Sequence, residues 1–189
     1  MKMSNYFYAL FFLTFTFVAS AQDLSINAIQ STIKWTGKKV LGQHEGLIKL
    51  KSGSLKLENN KIVSANFTID MNSLTCTDLE DASYNKKLVG HLNSDDFFGV
   101  SKFPEASLKI SDASEFVKNK ASVNGKLTIK RKTHPITFEV EKNKNSFSCK
   151  MDVDRSKFDV RYGSTSFFDS LGDKAIYDIF TLDINLLTN

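Results

Sequence analysis

The stretch ASVNGKLTIKRKTHPITFEVE, residues 121–141, alternates apolar and polar side chains on both sides of a short basic turn. The residues on one face are all apolar: Ala121, Val123, Leu127, Ile129, Ile136, Phe138 and Val140. A period of two is typical of β-strands that have one dry face and one solvated face. The stretch therefore predicts an antiparallel β-hairpin.

The same alternation recurs along the chain, in IVSANFTID (62–70), SFSCKMDVD (146–154) and IYDIFTLDINLL (176–187). In the first of these, Val63, Ala65, Phe67 and Ile69 are predicted to face the dry side. Segments such as ENNK and KNKNS punctuate about eight short strands, and strands this one-sided favour an antiparallel arrangement. Closure into a barrel removes exposed edges, so the sequence predicts an all-β, eight-stranded antiparallel barrel, with a two-sheet sandwich as the alternative.

One excursion from the strand pattern lies between residues 71 and 104. Its segment ASYNKKLVGHL (82–92) spaces Tyr84, Leu88 and Leu92 four residues apart, and the acids Glu80 and Asp81 precede it. This pattern predicts a short helix that begins just after those acids.

The first 21 residues have the composition of a signal peptide. MKMSNYFYALFFLTFTFVASA contains one early lysine, an apolar run and a small-x-small ending, which predicts cleavage after Ala21 and leaves residues 22–189 as a single domain. A transmembrane helix is the alternative. An exported protein is expected in the periplasm or outside the cell, where Cys76 and Cys149 either form a disulfide or remain free thiols.

Charge and histidine spacing argue against several functions. The formal net charge is +4 without a block of like charge, so nucleic acid is not an expected partner. His44, His91 and His134 lie in separate segments and have no triad or zinc spacing, so we expect no enzyme activity, no catalytic residue and no metal site. The basic tip KRKTH (130–134) is interpreted as a solvated turn, and the alternative is a tip that also contacts an anionic membrane surface transiently while lipid is loaded.

Three interpretations compete for HLNSDDFFGV, residues 91–100. His91, Asp95 and Asp96 suggest a metal site, and the two adjacent acids suggest a catalytic pair. In the preferred interpretation the polar residues form a turn, while one or both of the rings of Phe97 and Phe98 point into the apolar interior and close one end of the barrel.

Several motifs resemble the YceI-like family of periplasmic polyisoprenoid-binding proteins. They are STIKWTGKKVLGQHEGLIKLKSGSLKL, HLNSDDFFGVSKFPEA, VNGKLTIKRKTHPITFEV, DVDRSKFDVRYG and GDKAIYDIFTLDINL. The resemblance implies a lipocalin-like barrel with an apolar tunnel that holds an isoprenoid chain or a similar lipid. Arg131 stands where the family usually has a glycine, which leaves the turn type there open.

With this resemblance, we expect an exported protein that sequesters or transports an isoprenoid, an isoprenoid quinone, or a fatty acid or amide. The alternative is a solid-cored barrel that acts through its surface as a stress-related or interaction module. No cofactor is expected besides the bound lipid, and either a monomer or a dimer fits. Arg155 and His91 are candidates for binding the head group, although Arg155 also fits an ion pair with Asp154 or Asp159. The residues expected to contact the lipid chain are Phe67, Ile69, Phe97, Phe98, Leu108, Ile110, Leu127, Ile129, Phe138, Phe147, Met151, Phe180 and Leu182.

Overall fold

Eight antiparallel strands close into a barrel in chain order, as the alternation predicted. A computed structural model describes residues 21–189, so the predicted signal peptide lies almost entirely outside the described residues. Each strand pairs with the next, and β8 pairs with β1, which excludes the sandwich. The strands are β1 Ala21–Lys39, β2 Gly42–Glu58, β3 Lys61–Asp70, β4 Glu105–Ala113, β5 Lys120–Ile129, β6 Lys132–Lys142, β7 Ser146–Asp154 and β8 Ile176–Thr188.

The helical segment lies in the excursion between β3 and β4. Helix α1 spans Ala82–Asn93, and the carboxylate of Asp81 caps it by accepting hydrogen bonds from the backbone N–H groups of Ser83 and Tyr84 at 2.8 and 3.0 Å. These bonds satisfy amides that have no partner within the helix. The predicted helix is confirmed. Within the described residues, no helix is long and apolar enough to cross a membrane.

The two ends of the barrel differ in their connections. One end carries the excursion 71–104 and the long connection 155–175, and we call it the covered end. The opposite end, called the hairpin end, carries the short turn between β2 and β3 and the connections at 114–119 and 143–145.

Left-handed backbone conformations form the tight hairpin tips. Asn59 and Asn60 have φ values of 49° and 60°, and Lys130 and Arg131 have φ values of 50° and 60°. Two successive residues with positive φ match the twist of the flanking strands. The turn at Arg131 therefore keeps this two-residue geometry without the glycine of the family.

One prediction of the dry face was wrong, because a β-bulge in β3 brings Ile62 into the core in place of Val63. The pairing of β2 with β3 shifts register between Lys56 and Leu57, so that Leu57 pairs with Ile62. Ile62 is consequently in the core at 1% exposure, whereas Val63, predicted to be buried, is only partly buried. A bulge inserts one residue and reverses the faces beyond it, which strict alternation does not predict.

Candidate functional site

The barrel encloses a cavity of about 160 Å³. Its lining combines the inward faces of the strands with side chains from the covered end. All thirteen residues expected to contact a lipid chain line it: Phe67, Ile69, Phe97, Phe98, Leu108, Ile110, Leu127, Ile129, Phe138, Phe147, Met151, Phe180 and Leu182. Their contact with a ligand stays a prediction, but the barrel is not filled by its own side chains.

The lining is almost entirely apolar because the inward positions of each strand are apolar. On β5, for example, Leu127 and Ile129 are buried, while the intervening Thr128 is only partly buried. An apolar cavity holds water poorly, because water needs two or more polar partners to be stable inside a protein. The cavity therefore suits an apolar guest.

Sequence reasoning overlooked several lining residues that its own pattern contained. Trp35, the only tryptophan of the chain, lines the cavity beside Ile33 on β1. The indole N–H of Trp35 donates to the carbonyl of Thr75 at 2.9 Å, which fixes the ring against the wall. Ile33 and Trp35 alternate in the segment STIKWTG, so the period of a strand places both on the dry face, but they were not among the residues expected to contact the lipid chain.

The excursion closes the covered end with aromatic rings. Phe97 and Phe98 are 7% and 9% exposed, and their ring centroids lie 5.0 Å apart in an edge-to-face arrangement. Phe98 also packs edge-to-face on Phe180 of β8, at 6.3 Å. Ser94 ends α1, and its carbonyl accepts hydrogen bonds from the N–H groups of Phe97 and Gly99. This geometry matches the preferred interpretation, a turn that directs both rings inward.

The acids of the same turn face outward. The carboxylate of Asp95 pairs with Lys102 at 2.6 Å, and both side chains are exposed. Within the described residues, the groups of possible metal ligands do not include His91, Asp95 or Asp96. The acids of this turn are thus separate from the aromatic side chains that close the barrel.

Arg155 lines the cavity, but it is committed to the protein. It is 2% exposed, and four of its hydrogen bonds go to the carbonyls of Val160, Tyr162, Ile176 and Tyr177, at 2.8–3.2 Å. A guanidinium has five N–H groups, and four of those of Arg155 donate to these carbonyls, while the fifth makes no hydrogen bond. At most one donor is left for the head-group role of Arg155, which stays a prediction.

The ion-pair partner of Arg155 is Asp178, not the predicted Asp154 or Asp159. Nη2 of Arg155 lies 3.4 Å from Oδ1 of Asp178, whose other oxygen accepts a hydrogen bond from Ser166 at 2.6 Å. Burial lowers the pKa of Arg155, while the charges of Asp178 and Asp154 oppose this shift. Asp178, which interrupts the apolar pattern of β8, is the counter-ion of a buried cation.

His91 lies outside the cavity lining. Its ring stands edge-on to Tyr162 at 4.3 Å and to Phe97 at 5.8 Å, behind the aromatic cover. The position does not bring His91 to a ligand in the cavity, so its predicted head-group role is without support from the geometry.

The wall of the barrel is weakest between β6 and β7. These strands pair at Glu141↔Ser148 and Lys142↔Phe147, near the hairpin end, and the described residues form no further pairs between them. Phe138 and Cys149 line the cavity from the two strands beyond these pairs, and both are partly exposed. We call this unpaired section, residues 132–140 of β6 and 149–154 of β7, the β6–β7 seam.

The two cysteines are free thiols that lie in different places. Cys149 lines the cavity, where burial raises its pKa to about 12. Cys76 is buried in the excursion, between a 3₁₀ turn at Met71–Ser73 and α1. The disulfide that the sequence left open does not form in the structure.

Comparison with solved structures finds the same fold in several bacterial proteins. A crystal structure of BcnA from Burkholderia cenocepacia is 27% identical, with a TM-score of 0.69 over 87% of this chain and 99% of that chain. A polyisoprenoid-binding domain from Saccharophagus degradans, implicated in plant cell wall breakdown, is 12% identical, with a TM-score of 0.57 over 87% of this chain and 97% of that domain. A YCEI protein from Campylobacter jejuni is 22% identical, with a TM-score of 0.51 over 68% of this chain and 73% of that chain.

A search of curated protein sequences finds no match to this chain. Family profiles give a clear result. The profile described as the YceI-like domain matches residues 24–187 of the 189-residue chain, which includes all but the first residues of β1 and the last residue of β8. The protein is therefore a member of the YceI-like family.

Proposed function

We propose that this protein binds a long apolar chain inside its barrel and so sequesters or carries a lipid. The observation that carries the proposal is the apolar cavity of about 160 Å³, lined by all thirteen residues chosen from the sequence. The polyisoprenoid-binding domain of Saccharophagus degradans, which shares the fold, supports the same class of ligand. A binding role without catalysis fits this interior.

The size of the cavity limits how much of a chain it encloses. The enclosed volume of about 160 Å³ is finite, so affinity for an acyl or prenyl chain should rise with chain length only until that space is filled. Longer isoprenoids and quinones would extend beyond it.

The lining offers little to a charged head group. Four of the five N–H groups of Arg155 donate to backbone carbonyls, its charge is paired with Asp178, and His91 lies outside the lining. We infer that affinity comes from the chain and that the head group stays at the surface. A fatty alcohol and a fatty acid of equal length should therefore bind with affinities within about threefold of each other, because neither head group gains a buried partner.

The β6–β7 seam is the proposed path into the cavity. Strands β1 and β2 pair on both sides of their register shift, whereas β6 and β7 pair with each other only at Glu141↔Ser148 and Lys142↔Phe147. The covered end is held more firmly, because Nζ of Lys130 donates to the carbonyls of Phe97 and Asp159, each at 2.9 Å. A chain that separates β6 from β7 meets less resistance than one that displaces the aromatic cover.

The remaining parts of the proposal concern the cellular setting. Export to the periplasm or the outside rests on the signal-peptide pattern of residues 1–21. Contact with a membrane during loading rests on the basic tip, where Lys132 is exposed while Lys130 is bonded to the protein. No nucleic-acid partner is expected, and a monomer is sufficient for a cavity enclosed by one chain.

Native mass spectrometry tests the proposal directly. The protein is measured as purified, after organic extraction, and after incubation with C12, C14 and C16 alcohols or farnesol. We expect one lipid per chain, lost on extraction and regained on incubation. Trp35 gives an independent readout, because a chain brominated near its end should quench its fluorescence when it enters the cavity. Recovery of the bare chain in every sample, with unchanged fluorescence, would refute the proposal.

A further inference from the structure

A second group of chemically active side chains lies outside the cavity. His44 is on β2, while Cys76 and Asp78 follow the 3₁₀ turn in the excursion. Nδ1 of His44 lies 2.9 Å from Oδ2 of Asp78, and the Cys76 thiol donates to Oδ1 of Asp78 at 3.2 Å. The three potential ligand atoms all lie within 4.8 Å of one another.

Backbone pairing brings these residues together. Beyond the end of β3, residues 75–77 continue along the edge of β2: the N–H groups of Thr75 and Thr77 donate to the carbonyls of Leu47 and Glu45, each at 2.9 Å. A glycine is required at the contact, since a Cβ on Gly46 would lie 1.8 Å from the carbonyl oxygen of Thr75. The segment is thus fixed directly against the strand that carries His44.

Hydrogen bonds from residues outside the cluster position its side chains. The N–H of Glu45 donates to Oδ1 of Asp78 at 2.9 Å, which orients the carboxylate. The side-chain amide of Asn85 on α1 donates to the carbonyls of Cys76 and Leu79, each at 3.0 Å, which anchors the segment. Such supporting bonds typically position the ligands of metal sites.

The distances match what a small metal ion requires. Bonds of about 2.0–2.3 Å in tetrahedral geometry place ligand atoms about 3.3–3.8 Å apart. The observed separations, from 2.9 Å to at most 4.8 Å, lie on both sides of this range, so shifts of about 1 Å complete the site. Sulfur and imidazole ligands favour zinc, cobalt or copper over magnesium and calcium.

The same residues do not form a nucleophilic site. A cysteine nucleophile needs a base such as histidine against its sulfur, but here Asp78 lies between the thiol and the His44 ring. Metal binding makes use of all three side chains, and it leaves the fourth tetrahedral position to solvent, which reaches the partly exposed Asp78 and His44.

We propose that His44, Cys76 and Asp78 form a binding site for a divalent transition metal of the zinc type, with one coordination position open. This site is separate from the lipid cavity. The sequence did not predict this site, because Cys76 and Asp78 lie 32 and 34 positions after His44 and the site contains no pair of histidines.

Cobalt binding to the purified full chain tests the proposal. The Cys149→Ala variant is the working background, since Cys76 is then the sole thiol. Co²⁺ is added after treatment with a chelator and its removal. We expect one equivalent to bind, with visible bands of a four-coordinate ion and a thiolate-to-cobalt charge-transfer band. Zn²⁺ should displace the Co²⁺, while Mg²⁺ should not.

Ligand variants identify the site. Adding Cys76→Ser should abolish the charge-transfer band, and adding His44→Gln should weaken affinity at least tenfold. The matched control, His134→Gln, should bind like the background. Loss of the spectrum in the control, or no stoichiometric binding in the background protein, would overturn the proposal.

Two further measurements remain informative if a variant fails to fold. In the background protein, Zn²⁺ at a hundredfold excess over its Kd should raise the Tm by about 5–10 °C. Zn²⁺ should also protect Cys76 from alkylation, whereas Mg²⁺ should not. Alkylation that proceeds equally fast with and without Zn²⁺ would count against the site, whatever the lipid-binding experiments show.

Discussion

The length of the cavity should be visible in how affinity depends on ligand chain length. Each methylene moved from water into the apolar interior contributes about 0.8 kcal/mol, which is about a fourfold gain in affinity. From a six-carbon to a ten-carbon alcohol, four methylenes give about 3.2 kcal/mol, or about 200-fold. Beyond the number of carbons that the cavity of about 160 Å³ encloses, further carbons remain in water and affinity should level off.

A substitution that shortens the cavity should move this plateau. Ala106 of β4 is buried and lines the cavity, so Ala106→Leu adds three carbons within it. The plateau should begin about three carbons earlier, with affinity for six-carbon to eight-carbon alcohols changing little. The matched control is Lys126→Leu, which places the same side chain on the exposed outer face of β5.

The assay is a titration of Trp35 fluorescence with alcohols of 6–20 carbons, supported by calorimetry for the tighter ligands. Three results would refute the reasoning. The first is affinity that keeps rising at the same slope to 20 carbons, and the second is affinity that does not change between 6 and 10 carbons. The third is a plateau that shifts equally in both variants, because an effect of the cavity requires the added side chain to point inward.

Three other perturbations have definite expected outcomes. Arg155→Met should destabilise the protein by about 3–5 kcal/mol in urea unfolding, because it removes the counter-ion of Asp178 and the donor to four backbone carbonyls. The exposed Arg161→Met should change stability by less than about 1 kcal/mol, and equal losses would contradict this reasoning. In a Cys76→Ala variant, the thiol of Cys149 should be alkylated at pH 8 at least a hundredfold more slowly than free cysteine, since its pKa is about 12. A bound C14 alcohol should slow the alkylation further. A rate near that of free cysteine, measured by mass spectrometry, would show that the thiol is not buried. Burial disfavours the charged form of Asp78, but hydrogen bonds from Glu45, His44 and Cys76 outweigh this effect and hold the pKa of its carboxyl at about 2. The contribution of Asp78 to stability is therefore present above about pH 4 and is lost as the pH falls toward 2. The difference in unfolding free energy between the metal-free protein and Asp78→Asn should shrink between about pH 6 and about pH 2.5, and a constant difference would disprove this.

Local periodicity was enough to predict the strands and which of their side chains face inward, whereas the expectation of a ligand cavity came from the resemblance to the YceI-like family. The inward positions of Leu127, Phe147 and Leu182 follow from alternation, since the strands that carry them pair in regular register around those positions. The helix start at Asp81 follows from the capping preference of acids.

Features that depend on pairing between distant segments were not predicted. The bulge that buries Ile62 depends on how β2 meets β3. The partner of Arg155 is Asp178, 23 positions later, because the turn after β7 folds back on β8. The approach of His44 to Asp78 depends on a segment that continues along the edge of β2. In each case the contact joins residues that are far apart in the sequence, and no local sequence pattern indicates that they meet.

The pairing of the first strand with the last has a consequence for how the chain matures. The hydroxyl of Ser31 accepts a hydrogen bond from the N–H of Leu187, 156 positions away, and Ser25 accepts from Asn189 across 164 positions. Such long-range closure is slow, since the entropy of joining the ends is lost before the contact is gained. When the chain emerges amino end first from a ribosome or a translocation pore, its sheet stays open and its apolar face stays exposed until the final thirteen-residue strand is released. Chaperones would act before that strand is released, and a lipid would be enclosed only once β8 has paired with β1.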